Sequence, residues 1–158
     1  MRTERDDEME RVLVVDDDAV IRDLLAAILE DETDYEVLMA ANGREALDRL
    51  AESRVDAIVC DVNMPVMNGI ELVRAVRSDP KLRQVPVIMI SAVATPATLD
   101  PRLDIDVMIE KPFDISTLTA CLAFVFNGVR SSRQQVWIIR RRAAVGGESP
   151  RHPLAHNA

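Results

Sequence analysis

The chain has 158 residues, of which 48% are hydrophobic and 3% aromatic, enough for one domain with an aliphatic core. Its net charge of −8 is unevenly spread: residues 1–128 carry 13 basic and 26 acidic side chains, whereas residues 129–158 carry six basic and one acidic. The acidic body argues against nucleic-acid binding by the main domain. The sequence shows neither a signal peptide nor a membrane-spanning run, so we expect a cytoplasmic protein.

Short apolar runs alternate along the chain with segments of helical periodicity. The predicted strands are 11–15, 36–40, 56–60, 85–90 and 106–110. The predicted helices are 19–30, 43–51, 70–78 and 115–126, with a short or irregular one between Ser91 and Asp106. This (βα)₅ alternation predicts an α/β fold with a parallel sheet covered by helices on both faces.

Two of the predicted helices have recognisable starts. Asp18 precedes the first helix and Asp114 the last, and aspartate is a favoured N-cap residue. The first helix is predicted to bury one apolar face, formed by Val20, Leu24, Ala27 and Ile28.

Polar residues follow four of the predicted strands. Asp16 and Asp17 come after the first strand, Asp61 after the third, Ser91 after the fourth and Lys111 after the fifth. The carboxyl ends of parallel strands share one edge of the sheet, and ligands of open α/β sheets bind outside that edge. We therefore expect a site that combines carboxylates, a hydroxyl and an ammonium group.

The acidic residues of this site indicate a divalent cation. Neighbouring carboxylates repel one another unless one of them holds a proton or a cation lies among them. Mg²⁺ prefers hard oxygen ligands and is often held by one or two carboxylates. We expect Mg²⁺ at Asp17 and Asp61, with Asp16 acting directly or through water, and with the backbone carbonyl of Asn63 as a further ligand.

The same group of residues is suited to phosphoryl transfer. A carboxylate can attack phosphorus to give an aspartyl phosphate, and Asp61 is the best candidate because it lies between the central strand and a loop rich in Pro and Gly. Lys111 offers a positive charge for phosphoryl oxygens, and Ser91 offers a hydroxyl donor. Together they would neutralise charge during an in-line transfer.

At these positions the chain resembles a bacterial response-regulator receiver domain, of the chemotaxis-regulator type. The matching pieces are VLVVDD at 12–17, CDVNMPVMNG at 60–69, SA at 91–92 and KPF at 111–113, in that order. The resemblance covers about residues 10–128. It implies a flavodoxin-like, doubly wound sheet of five strands in the order 2-1-3-4-5.

The resemblance also implies a role for each site residue. Asp61 would be the phosphoacceptor, Asp16 and Asp17 the Mg²⁺-binding acid pair, Ser91 the switch hydroxyl and Lys111 the phosphate-binding lysine. The phosphoryl donor would be a phosphohistidine on a sensor histidine kinase or a histidine phosphotransfer protein. We therefore expect a stand-alone response regulator of a two-component or phosphorelay pathway, which switches its binding to a downstream protein and turns over no substrate.

Two features depart from the family pattern. Receivers usually carry Tyr or Phe three residues before the lysine, where this chain has Met108, so its readout is expected to differ. Pro96 and Pro101 interrupt the segment that would form a helix before the fifth strand, because proline breaks helix interiors.

The ends of the chain differ from its body. We divide the chain into an acidic extension (1–10), a receiver domain (11–128) and a basic tail (129–158). The tail is expected to be loosely ordered; a helical extension for self-association or partner docking, which would allow a homodimer, and a basic membrane-surface or nucleic-acid contact are the alternatives.

Three other functions fit the sequence less well. A Mg²⁺-dependent phosphohydrolase would want a second acid two residues after the nucleophile, where Asn63 stands. A degenerate receiver used only for docking is disfavoured by the intact acids, Ser91 and Lys111, whereas Met108 and the two prolines before the fifth strand keep that alternative open. A dinucleotide or flavin site is unexpected, because no GxGxxG motif follows a strand.

Overall fold

A computed structural model describes residues 9–92, 100–127 and 137–139. The strands are β1 (Arg11–Val15), β2 (Glu36–Ala40), β3 (Ala57–Asp61), β4 (Val87–Ser91), β5 (Val107–Glu110) and β6 (Trp137–Ile139). The helices are α1 (Ala19–Glu32), α2 (Gly43–Glu52), α3 (Gly69–Ser78) and α4 (Ile115–Phe126). None of the helices in these described stretches is both long enough and apolar enough to span a membrane.

All described strands belong to one parallel sheet, with the order β2-β1-β3-β4-β5-β6. The predicted flavodoxin-like order 2-1-3-4-5 is therefore confirmed. The sixth strand was not predicted, because β6 lies in the segment that we expected to be loosely ordered. The other residues of 129–158, except for β6, lie outside the described residues, as does Pro96. Pro101–Leu103, in the expected irregular helix, form a single 3-10 turn.

The core consists of two apolar layers, one on each face of the sheet. Consecutive residues of a strand point to opposite faces, so β1 contributes Leu13 and Val15 to one layer and Val12 and Val14 to the other. Helices α2 and α3 cover the first layer, and α1 and α4 cover the second. Strands buried on both faces explain why the sequence shows continuous apolar runs rather than alternation.

The predicted buried face of α1 is wrong. Val20 and Leu24 are 76% and 55% exposed, whereas the buried residues are Leu25, Ala26 and Leu29. The sequence of α1 is apolar on nearly every side, so its periodicity does not identify the buried face. The helix consequently leaves large apolar side chains in contact with solvent.

The helices begin at or next to the residues predicted from the sequence. Asp18 caps α1 by accepting from the N–H groups of Val20 and Ile21, as predicted. Asp114 occupies the N-cap position of α4, but its side chain makes no capping hydrogen bond. These starts orient α1 and α4 at the edge where the strands end.

Candidate phosphorylation site

The carboxyl ends of β1, β3, β4 and β5 meet at one edge of the sheet. The parallel register pairs Asp61 with Ile90 and Ser91 with Glu110, so neighbouring strands end side by side. Asp61 and Ser91 are the last residues of β3 and β4, whereas the sequence placed them just beyond those strands. Lys111 follows β5 directly. The sheet therefore gathers the predicted site residues by its register alone.

Three carboxylates form a compact cluster at this edge. One carboxylate oxygen from each of Asp16, Asp17 and Asp61 lies within 4.8 Å of the others. Asp16 is buried, Asp61 is partly buried and Asp17 is exposed. Burial raises the pKa of Asp16, and the negative charges of Asp61 and Asp17 add to this effect. The cluster holds excess negative charge and offers only oxygen donors, so it fits a hard divalent cation such as Mg²⁺.

Lys111 reaches across to this cluster from β5. Its Nζ lies 3.0 Å from Oδ2 of Asp61, and its backbone N–H donates to the carbonyl oxygen of Ser91 over 2.8 Å. The Lys111–Pro112 peptide bond is cis. The Ser91 side chain is buried, at 4% exposure. One residue thus connects the ends of β3, β4 and β5.

Asp16 is held by contacts that the sequence did not reveal. Its Oδ1 accepts from the Asp18 backbone N–H over 2.9 Å, and its carbonyl oxygen accepts from Arg22 Nη1 over 2.8 Å. Arg22 lies in the first turns of α1, one turn after the capping Asp18. The short spacing between Arg22 and Asp16 in the sequence is consistent with this contact. It does not predict the contact, because an arginine on a helix is usually exposed.

Gly69 forms the back of the site. A Cβ atom at this position would overlap the carbonyl oxygen of Asp61, and the Gly69 N–H donates to the carbonyl of Val62 over 2.9 Å. The start of α3 therefore packs directly on the end of β3. Only glycine permits this close approach, which fixes the backbone of Asp61.

The loop between β3 and α3 contains an unusual turn. Val66 has a φ of 68° and is 81% exposed, and the Met67 N–H donates to the Pro65 carbonyl over 2.7 Å. Positive φ is a genuine outlier for a β-branched residue, and this γ-turn geometry is rare. The Gly43 N–H donates to the Met67 carbonyl over 2.9 Å, so the start of α2 holds the turn in place.

The structure thus places five predicted residues at a single edge: Asp16, Asp17, Asp61, Ser91 and Lys111. Asn63 is exposed in the loop two residues after Asp61. The roles of these residues, including that of the Asn63 carbonyl as a metal ligand, stay predictions.

Comparison with known proteins identifies relatives of this arrangement. The family model of the response regulator receiver domain matches residues 12–123. Among solved structures, the chemotaxis protein CheY4 of Vibrio cholerae is 38% identical with a TM-score of 0.70, covering 75% of this chain and 99% of that one. The response regulator TrrA of Thermotoga maritima, solved in complex with Mg²⁺-BeF, is 30% identical with a TM-score of 0.66, covering 74% of this chain and 99% of that one.

Curated relatives are longer than this chain. A protein-glutamate methylesterase/protein-glutamine glutaminase from a Nocardioides species is 47% identical over 94 residues, which are 57% of this chain and 25% of the relative. The chain thus spans a quarter of that protein's length and shares only its receiver region. Because the family model covers well over half of the sequence, the chain belongs to the response regulator receiver domain family.

Proposed function

We propose that the chain is a phosphorylation-controlled switch in which Asp61 accepts a phosphoryl group from a phosphohistidine. The observation that carries this proposal is the 3.0 Å contact of Lys111 Nζ with Asp61 Oδ2 beside the cluster of Asp16, Asp17 and Asp61. A nucleophilic carboxylate, a cation for phosphoryl oxygens and an acidic metal site are the parts that phosphoryl transfer requires.

The transfer step uses Asp61 as the nucleophile. A carboxylate oxygen of Asp61 forms the new P–O bond while the P–N bond of the donor phosphohistidine breaks, and the imidazole leaves with the bond electrons. Mg²⁺, held by Asp16, Asp17, Asp61 and the Asn63 carbonyl, would neutralise phosphoryl oxygens during this step. Gly69 keeps the Asp61 backbone fixed, which favours a defined angle of attack.

The switch follows from the change of charge at Asp61. A phosphoryl group brings about −1.5 to −2 charges and several strong acceptor oxygens. Lys111 can pair with those oxygens in place of the bare carboxylate, and the Ser91 hydroxyl can donate to them. Both residues adjoin the ends of β4 and β5, so a change at Asp61 acts directly on these two strands.

The donor protein must reach the same edge of the sheet. We propose that it contacts the exposed apolar surface of α1, which consists of Val20, Ile21 and Leu24, exposed at 76%, 39% and 55%. This surface lies on the first turns of α1, whose capping residue Asp18 directly follows Asp16 and Asp17 in the chain. Apolar side chains that a helix exposes beside a reactive site are suited to protein docking.

The test is chemical labelling with a small phosphodonor, such as phosphoramidate, in the presence of Mg²⁺. We expect one added phosphoryl group by intact-protein mass spectrometry, located at Asp61 by reductive trapping. Asp61→Asn should abolish it, and so should chelation of the metal. Asp18→Asn is the matched control, because it removes a nearby carboxylate that caps α1 while preserving a capping side chain.

The same experiment separates the proposal from its alternatives. Labelling of Asp61→Asn as strong as that of the wild type would refute the assignment of the nucleophile. A wild-type chain that is folded but accepts no phosphoryl group would indicate a receiver used only for docking. Steady release of phosphate from many phosphoesters would indicate a phosphohydrolase instead.

A further inference from the structure

The first peptide plane after β1 connects both acids of the predicted metal pair. The ladders of β1 end at Val15, which pairs with Ala40 of β2 and with Cys60 of β3. Asp16 and Asp17 follow beyond these ladders, and the peptide bond that joins them is planar. Its carbonyl oxygen belongs to Asp16 and its N–H group to Asp17, so the orientation of this one plane constrains both side chains.

Arg22 holds this peptide plane from α1. Its Nη1 donates to the carbonyl oxygen of Asp16 over 2.8 Å, while the N–H of Asp16 donates to the carbonyl oxygen of Ala40 over 3.1 Å. Asp16 is only 5% exposed, so a carbonyl group that lost its partner there would be poorly hydrated. Arg22 therefore satisfies a buried acceptor that lies beyond the ladders of the sheet.

Arg22 contacts the backbone of Asp16 and not its carboxylate. Oδ1 of Asp16 accepts instead from the Asp18 N–H over 2.9 Å, and no ion pair joins Arg22 to Asp16 in the described stretches. An arginine on the carboxylate would compete with a metal ion for its oxygens. Arg22 thus restrains Asp16 and leaves the excess negative charge of the three-carboxylate cluster in place.

The arginine itself is fixed by its helix. Asp18 caps the first turn of α1, and Leu25 and Leu29 anchor the helix in the second core layer. Arg22 is partly buried on this helix. The segment 16–22 is therefore a loop closed by hydrogen bonds, in which the plane between the two acids has little freedom to rotate.

The three carboxylates need such a restraint. One oxygen from each of Asp16, Asp17 and Asp61 lies within 4.8 Å of the others, and like charges at this spacing repel one another. Asp17 is exposed, so rotation of the plane would let its carboxylate turn towards solvent and relieve the repulsion. A site that must be reassembled when the cation arrives binds that cation more weakly than one that is already formed.

We propose that Arg22 is a positioning residue, which holds the acid pair in the arrangement required for Mg²⁺. The inference rests on the proposed function, because Asp16 and Asp17 are metal ligands only in that proposal. Arg22 acts through the peptide plane between the two acids rather than by touching the phosphoryl group. Loss of a contact that orients a metal ligand typically weakens metal binding by about 10- to 100-fold, and we expect about tenfold here.

The test is a Mg²⁺ titration of the isotope-labelled full chain, followed through the amide NMR shifts of the site. Arg22→Met keeps a similar apolar stem but removes the donor, and its Mg²⁺ dissociation constant should rise about tenfold. Arg22→Lys keeps a charged donor near the same carbonyl oxygen and should recover part of the affinity. The unphosphorylated chain is used, so the measurement does not depend on transfer to Asp61.

Arg49→Met is the matched control. Arg49 Nε donates to the carbonyl oxygen of Met39 over 3.3 Å, which is also a contact between a helix arginine and a strand carbonyl, but neither residue belongs to the site. This variant should bind Mg²⁺ as the wild type does. Urea denaturation of both variants measures stability separately, since a purely structural role of Arg22 would lower stability without changing Mg²⁺ affinity.

Spectra recorded without Mg²⁺ show whether the acid pair has moved. We expect Arg22→Met to shift the amide resonances of Asp17 and Asp18, and Arg49→Met to leave them unchanged. Should Arg22→Met not fold, Arg22→Gln takes its place in both measurements, because its side chain is too short to span the same contact.

Two results would overturn the proposal. The first is a folded Arg22→Met chain with wild-type Mg²⁺ affinity. The second is an equal loss of affinity in Arg49→Met, because the effect would then not come from Asp16. A wild type that binds no Mg²⁺ would instead refute the metal site of the proposed function, and the metal-free shifts of Asp17 would then decide whether Arg22 positions the acids.

Discussion

Two arginines at the amino ends of the strands form ion pairs with acidic side chains, whereas carboxylates predominate at the carboxyl ends. At the amino ends, Arg11 pairs with Glu36 over 2.6 Å and Arg77 with Asp106 over 3.1 Å. At the carboxyl ends, three carboxylates lie within 4.8 Å of one another, and Lys111 is the cation that contacts them through Asp61.

This difference separates charges with a structural role from the carboxylates of the proposed phosphorylation site. Arg77 is 13% exposed, and it also donates to the carbonyl oxygens of Asp104 and Val85, so it joins α3 to β4 and β5. Asp106 in turn accepts from the Val87 N–H over 2.8 Å. Ion pairs join elements at one end of the sheet, whereas the excess of carboxylates over described cations at the other end suits the proposed metal ion and phosphoryl group.

The largest effect on stability is expected when the Arg77–Asp106 ion pair is removed. Arg77→Ala should lower the free energy of unfolding by about 3 kcal/mol, because it leaves the partly buried Asp106 and three carbonyl groups without this partner. Urea denaturation measures the loss. Arg54→Ala is the control, since the Arg54–Asp56 pair is more exposed and should contribute less than about 1 kcal/mol. Equal losses in both variants would contradict a structural role for Arg77.

A substitution at the carboxyl ends of the strands should change labelling of Asp61 more than stability. Lys111→Met keeps an apolar stem of similar length but removes the charge that would meet the phosphoryl oxygens. We expect labelling of Asp61 to slow by about a hundredfold, in the range for loss of one electrostatic contact to a transition state. The free energy of unfolding should change by only about 1 kcal/mol, because the pair is partly exposed. Unchanged labelling kinetics would remove Lys111 from the mechanism.

The exposed apolar surface of α1 is expected to affect transfer from a donor protein but not the chemistry of the site. Leu24→Asp should slow transfer from a phosphohistidine donor protein by about tenfold, equal to about 1.4 kcal/mol of lost docking. Labelling by a small phosphodonor should not change, because it needs no docking surface. Leu24→Ala is the milder control, and stopped-flow or gel-based transfer assays measure both. Equal slowing with both donors would mean that the substitution disturbs the site itself.

The smallest expected effect is the loss of folding stability caused by the buried, ionised carboxylate of Asp16. Burial raises the pKa of Asp16, so the folded state binds that proton more tightly than the unfolded state does. In metal-free buffer the ionised carboxylate therefore lowers stability at neutral pH. Asp16→Asn, which is always neutral, should be more stable than the wild type there.

This advantage has a definite pH dependence. It should shrink as the pH falls through the raised pKa of Asp16, because the wild-type carboxyl group then also becomes neutral. Mg²⁺ should stabilise the wild type and have less effect on Asp16→Asn. Asp17→Asn is the comparison variant, since Asp17 is exposed and its charge is less desolvated than that of Asp16. An advantage of Asp16→Asn that does not vary with pH would show that charge is not its cause.

The sequence predicted which residues lie together at this edge of the sheet better than it predicted the surfaces around them. Asp16, Asp61 and Lys111 could be placed together because parallel strands bring their carboxyl ends to one edge. The buried face of α1 could not be predicted, since Val20 and Leu24 are as apolar as the residues that pack inward. Packing against the sheet determines which face of α1 is buried, and the sequence of the helix alone does not show this.

Strand β6 was missed for a different reason. It has only three residues, and its formation depends on pairing with β5 rather than on a pattern of its own. The surroundings of Met108 could not be predicted from the sequence either. Met108 is fully buried in the first core layer, and its strand lies between β4 and β6. Its effect on switching stays a prediction.

The contacts that hold Asp16 would connect the proposed donor docking to the proposed metal site. Arg22 and the cap of α1 both bind Asp16, and α1 also carries the apolar surface proposed for the donor. A protein that binds α1 and shifts it would therefore alter the geometry of Asp16, a proposed metal ligand. By thermodynamic reciprocity, the factor by which Mg²⁺ changes donor affinity must equal the factor by which the donor changes Mg²⁺ affinity. Two titrations on this one helix would thus read the same coupling free energy from both sides.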